Sequence, residues 1–158
     1  MARRIAQAGH DAAARNRTAA KAEALSGFGV AQASDAAEAA RGADAVVCML
    51  SSGPVCEETL VGGGVLDAMR PGSLLVVMSS IPVAAARRHA EAAAERGIDC
   101  LDAPGSGGET GARDGTLAIM AGAPRMRSSA PARSWRRWGA PPTSGRPERV
   151  SSPNSSTR

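Results

Sequence analysis

Ala45-Val-Val-Cys-Met-Leu50 and Leu74-Leu-Val-Val-Met78 are the stretches that decide the fold. Each is a continuous apolar run without polar alternation. Such runs mark strands buried on both faces, as in parallel sheets, rather than half-solvated antiparallel ones. Between them, residues 54–60 and 64–69 read as helical, on either side of Gly62-Gly-Gly64. Pro82 stands at a helix start, and an alanine-rich helix runs from it to Arg96 before Gly97 stops it. Ile98–Leu101 then reads as a third strand and Thr116–Met120 as a fourth. Strands alternating with helices predict an α/β fold with a doubly wound parallel sheet.

The same alternation extends upstream. Met1, Ile5 and Ala8 share a helical face that Gly9 closes. A very short strand is expected at Ala12–Arg15, followed by a polar loop at Asn16-Arg17-Thr18. Residues 19–26 read as a helix, and Ser34 or Asp35 caps another that runs to Arg41. This order stops near Pro124. Residues 125–158 are rich in Arg, Ser and Pro with no period of a helix or strand, which predicts a disordered basic tail. The division is therefore 1–124, an α/β domain, and 125–158, a tail.

Charge divides at the same place. Residues 1–124 hold 11 Lys+Arg and 14 Asp+Glu, a balance of −3; residues 125–158 hold 8 Arg and 1 Glu, a balance of +7, and the two recover the chain's +4. Lys21 is the sole lysine. Aromatics are nearly absent, so small aliphatics must fill the core, which suits close helix-on-sheet packing. Cys48, Cys56 and Cys100 have no metal-ligand spacing and read as reduced core thiols of a cytoplasmic protein. No apolar run approaches the ~20 residues of a membrane span. Gly62-Gly-Gly64 does not follow a strand and lacks phosphate-loop spacing. His10, at a helix end, and His89, on a helix surface, are assigned no chemistry.

Several segments together carry a resemblance: Asn16-Arg17-Thr18, Val47-Cys-Met-Leu50, Met78-Ser-Ser-Ile-Pro82, Leu101-Asp-Ala-Pro-Gly-Ser-Gly-Gly108 and Gly115-Thr-Leu-Ala-Ile-Met120. In this order and spacing they resemble the β-hydroxyacid dehydrogenases, the family of 3-hydroxyisobutyrate dehydrogenase and tartronate semialdehyde reductase. The D-A-P-x-S-G-G stretch is the most specific, with Gly105 where the family has Val. The resemblance implies a Rossmann-type domain that binds NADP or NAD and hydride transfer between the nicotinamide and a small 3-hydroxy acid or semialdehyde. It also implies a homo-oligomer without membrane attachment.

By the same resemblance, Asn16, Arg17 and Thr18 meet the adenosine ribose, where an arginine favours a 2′-phosphate. The backbone at Leu50 and Ser51 lines the cofactor, and Ser80 approaches the nicotinamide side. Ser79 and Ser80 also read as N-caps of the helix that follows. Ser106, Gly107 and Gly108 hold the substrate carboxylate through a hydroxyl and closely approaching N–H groups. Read as a plain sequence, that last stretch is a flexible Gly/Ser connection.

Two parts of the family pattern are not found. There is no G-x-G-x-x-G, which in the family precedes the helix that begins here at Met1, and the first strand is missing with it. No catalytic residue can be named, because the family's lysine is absent and Lys21 belongs to the adenosine end. Read one nucleotide earlier, codons for Pro147 through Thr157 can encode A-G-A-G-Q-L-A-K-L-V-N, which has the family's G-x-G-x-x-x-K-x-x-N pattern. The expectation is thus an incomplete Rossmann-type sheet, frameshifted after about Pro124 and inactive as written. The alternatives are a fragment whose basic tail binds nucleic acid, which is the weaker reading, or one that pairs with an intact homologue.

Overall fold

The computed structural model describes residues 1–122. The expected boundary at Pro124 and the tail 125–158 lie outside the described residues.

Helix α1 (Ala2–Gln7) leads into strand β1 (Ala12–Ala14). Helix α2 (Ala19–Glu23) and a 3-10 turn at Ser26–Phe28 follow, then strand β2 (Val30–Gln32) and helix α3 (Ala36–Ala40). Strand β3 (Ala45–Cys48) gives way to helix α4 (Gly53–Glu57), a π-turn at Glu58–Gly62 and helix α5 (Val65–Ala68). Strand β4 (Leu74–Val77), helix α6 (Val83–Glu95) and strand β5 (Asp99–Asp102) complete the main alternation. Strand β6 (Gly105–Ser106), helix α7 (Gly108–Asp114) and strand β7 (Ala118–Ile119) close the described chain.

The expected α/β architecture is present, and its long pairings are parallel. β1 pairs with β2, and β3-β4-β5 form a second sheet in register Val46↔Leu75 and Leu75↔Cys100. Among the described residues the two sheets share no strand pairing. In a doubly wound sheet of order 3-2-1-4-5-6, this break falls at the central strand's position.

One face of the three-stranded sheet carries Cys48, Leu75 and Val77 into the core with Cys56, Leu60, Leu66, Met69, Ala93 and Ile98. α4, α5 and α6 supply the covering side chains, so the crossovers of this sheet bury the same face. At about 25 cal/mol per Å2 of apolar surface removed from water, this layer is the main source of stability.

Three expectations need correction. The run Ala45–Leu50 is not buried on both faces: Val47 is 41% and Met49 51% exposed. β3 is the edge of its sheet, and only Cys48 on it is fully turned into the core. The expected fourth strand does not join the parallel sheet; only Ala118–Ile119 of Thr116–Met120 is extended, and it pairs antiparallel with Gly105–Ser106. His89 is not on a helix surface but fully buried. Its Nε2 lies 3.0 Å from Glu57 Oε2, out of hydrogen-bond alignment, so both ring nitrogens lack a hydrogen-bond partner.

Candidate functional site

In open parallel sheets, ligands bind beyond the carboxyl ends of the strands, because the loops there are not needed for packing and converge. Leu50 and Ser51 follow β3, Ser79 and Ser80 follow β4, and Ala103 through Ser106 follow β5. The parallel register of these strands puts all three loops on one edge.

Ser79 ties two of them together. It is buried, and its Oγ accepts a hydrogen bond from the Leu50 N–H at 2.7 Å. This fixes the backbone at the β3 exit from a side chain at the β4 exit. Neither Ser79 nor Ser80 caps α6, contrary to the capping expectation: Pro82 holds that position, and no side chain bonds the free N–H groups. Ser80 is exposed. Sequence reasoning passed over Ser79 as a brace; the signal was a hydroxyl directly after a buried strand, where an apolar residue is otherwise expected.

Ser51 precedes Ser52, the N-cap of α4, whose Oγ accepts from Val55 N–H at 3.5 Å. Gly53 is buried, and a Cβ added to it would touch Pro82 Cδ at 3.5 Å. The β3 and β4 exits are therefore packed against each other. Behind them lie the thiols. Burial pushes the Cys48 thiol up to about 12, with the neighbouring Cys56 adding to the effect, and pushes Cys100 up to about 11.

Asn16, Arg17 and Thr18 stand beyond the carboxyl end of β1. Asn16 Oδ1 accepts from Thr18 N–H at 2.9 Å, a side-chain-closed turn that leaves all three exposed. They belong to the other sheet, and among the described residues no hydrogen bond joins them to Leu50, Ser51 or Ser80.

Ser106, Gly107 and Gly108 lead into α7, so this stretch is not a free connection. Gly107 has φ +131°, and a Cβ there would sit 3.1 Å from Leu117 Cδ2. Both the backbone conformation and the close approach require glycine. Gly105 is held as a strand residue opposite Ile119, and a Cβ there would meet Met78 Cε at 3.4 Å. The helix after the loop was missed because Gly108-Glu-Thr-Gly111 reads as a turn. Gly62-Gly-Gly64 runs from the last residue of the π-turn to the N-cap of α5, away from a strand end, as expected.

The residues present suit a dinucleotide in part: exposed polar groups and free loop backbone stand at strand exits, with an arginine at one of them. Among the described residues no cluster suits a metal ion, and no helix is long and apolar enough to cross a membrane.

The sequence profile of the NAD binding domain of 6-phosphogluconate dehydrogenase matches residues 1–134, running past the expected break after Pro124. The chain is 39% identical over 123 residues to 2-hydroxy-3-oxopropionate reductase of Escherichia coli, covering 77% of this chain and 43% of that protein. In structure it is similar to 3-hydroxyisobutyrate dehydrogenase of Mycobacterium tuberculosis, solved with L-serine: TM-score 0.75, 34% identity, 86% of this chain and 44% of that one. It is also similar to an imine reductase of Myxococcus stipitatus in complex with NADP+: TM-score 0.60, 30% identity, 65% of this chain and 35% of that one. The chain thus spans less than half the length of these relatives. The matched domain is described as NAD-binding, and the imine reductase is solved with NADP+, so the family's cofactor is NAD(P). The chain belongs to the β-hydroxyacid dehydrogenase family, through the NAD-binding domain which that family shares with 6-phosphogluconate dehydrogenase.

Proposed function

We propose that residues 1–124 are the nucleotide-binding part of an NADP-preferring β-hydroxyacid dehydrogenase, and that these 158 residues by themselves do not turn over. The observation that carries the reading is the set of three loops gathered at the carboxyl edge of β3-β4-β5, braced by the Ser79–Leu50 hydrogen bond.

When bound, the nicotinamide supplies the hydride chemistry; the protein orients it and the substrate. Arg17 offers a planar, permanently charged donor to a 2′-phosphate, beside the polar groups of Asn16 and Thr18. Leu50 and Ser51 present backbone, and Ser80 a hydroxyl, to the nicotinamide end. Ser106 and the N–H groups of Gly107 and Gly108 receive the carboxylate of a small hydroxy acid or semialdehyde. Among the described residues these loops carry no lysine to serve as proton donor for the carbonyl oxygen: Lys21 lies on α2.

Purified 1–158 mixed with NADPH and tartronate semialdehyde should show no NADPH oxidation. Resequencing the coding DNA should restore the family's lysine helix in the shifted frame. In that corrected chain, turnover should appear, and Arg17→Ala should raise KM for NADPH several-fold while leaving KM for NADH nearly unchanged. Turnover by the chain as written would overturn the proposal. So would a corrected chain indifferent to Arg17.

A further inference from the structure

Cys48 and Cys56 are the feature of the core that the proposed chemistry leaves unused. Cys48 ends β3 and Cys56 lies in α4. Their Sγ atoms are 4.0 Å apart, in van der Waals contact, and both thiols are free. The third cysteine, Cys100, sits two strands away on β5. We propose that Cys48 and Cys56 form a redox pair that closes to an intramolecular disulfide under a small peroxide oxidant.

The sulfurs are already in contact, so closure asks for an approach of about 2 Å to the ~2.05 Å of an S–S bond. Burial holds the Cys48 thiol protonated at rest and leaves Cys56 out of reach of solvent, so reaction waits on local opening. The surrounding structure favours such opening. β3 is a sheet edge, α4 is five residues long, and the chain beyond Cys56 passes into a π-turn rather than a regular helix. Cys48 is the more reachable of the two, at 6% exposure against 0% for Cys56.

The chemistry balances in two steps. The Cys48 thiolate attacks one oxygen of hydrogen peroxide; the O–O bond breaks, giving a sulfenic acid and, after proton transfer, water. The Cys56 thiolate then attacks the sulfenic sulfur; the S–O bond breaks, a second water leaves and the S–S bond forms. Two thiols lose two electrons and two protons, and one peroxide is reduced to two waters.

Closure would tether the segment from Met49 to Val55 at both ends. That segment contains Leu50 and Ser51, so oxidation would restrict the β3 exit whatever ligand it serves.

The test is peptide mapping of the full 158-residue chain. The protein is treated with hydrogen peroxide without denaturant, quenched in acid, unfolded, alkylated and digested with trypsin. Cys48 and Cys56 fall in one peptide, between Arg41 and Arg87 when the Arg70–Pro71 bond resists cleavage. Methionine sulfoxides add oxygen and are counted separately. The expected product has this peptide lighter by two hydrogens and refractory to alkylation until reduced, with Cys100 still alkylated. Cys100→Ser should leave that product unchanged, and Cys56→Ala should divert Cys48 to sulfinic acid. Alkylation of both thiols after peroxide has consumed methionines overturns the proposal, as does a disulfide that includes Cys100.

Discussion

Ser79 is one hydroxyl with a large share of the local geometry. With Ser79→Ala, the Leu50 N–H loses its acceptor in a partly buried place, at a cost of about 1–3 kcal/mol. The denaturant midpoint should fall accordingly, and an unchanged midpoint would show that water replaces the bond. His89 poses the opposite question. It lies on the stripe Ala85, His89, Ala93 of α6, at the i, i+4 spacing of a buried helix face. That spacing was the readable sign of its burial, masked because histidine is not counted as apolar. A buried ring without hydrogen-bond partners contributes volume more than polarity. His89→Leu should therefore leave stability equal or raised, whereas His89→Ala should cost about 2–5 kcal/mol through the cavity it opens. Equal losses in thermal unfolding for both substitutions would instead assign the stabilisation to the Glu57 contact.

At the scale of elements, legibility followed length and apolar continuity. β3, β4 and α6 were readable because their apolar residues run on or repeat. β2 was not anticipated: it is three residues long, and only Val30 in it is buried. α7 was hidden by its glycines, and the antiparallel β6–β7 pair by being two residues on each side. The carboxyl-edge loops were found through motif resemblance; periodicity alone would have left them as turns. α3 was foreseen at its cap. Asp35 Oδ1 accepts from Glu38 N–H at 2.7 Å, while Glu38 Oε2 accepts from both the N–H and the hydroxyl of Ser34 at 2.6 Å. Asp35 is thus the N-cap, and Glu38 reaches back to Ser34, one residue beyond the cap that a capping box would engage; Asp35→Ala should cost about 1 kcal/mol. The Ser34 hydrogen bonds hold the Glu38 carboxyl below its ordinary value of 4.5. Because the folded state lowers it, its stabilisation is full above that value and is lost as pH falls further. Between neutral pH and acid, Glu38→Gln should flatten the loss of stability seen in urea titrations; an identical acid slope would sink the assignment.

At the largest scale, the consequential fact is that the described residues hold two parallel sheets. Among the described residues β4 alone has parallel neighbours on both sides; β3 and β5 flank it in the three-stranded sheet, while β1 and β2 stand in a sheet of two strands. Opening free energy should follow this order. In amide hydrogen exchange, Leu75–Val77 should be slowest, followed by β3 and β5, with β1 and β2 fastest by orders of magnitude. Uniform protection across both sheets would show that the domain opens as one cooperative unit. The order in which contacts become available differs again. The Arg4 guanidinium on α1 donates to the Asp114 carbonyl at the end of α7 at 2.9 Å, a partner 110 residues further along the chain. On a ribosome adding about 5–20 residues per second, α1 emerges on the order of ten seconds before the residue that clasps it. During that interval β1 and β2 can already pair, since both are made early. The first helix therefore docks last onto its most distant partner, and a pause in translation after β5 would leave it unclasped on an otherwise assembled nascent chain.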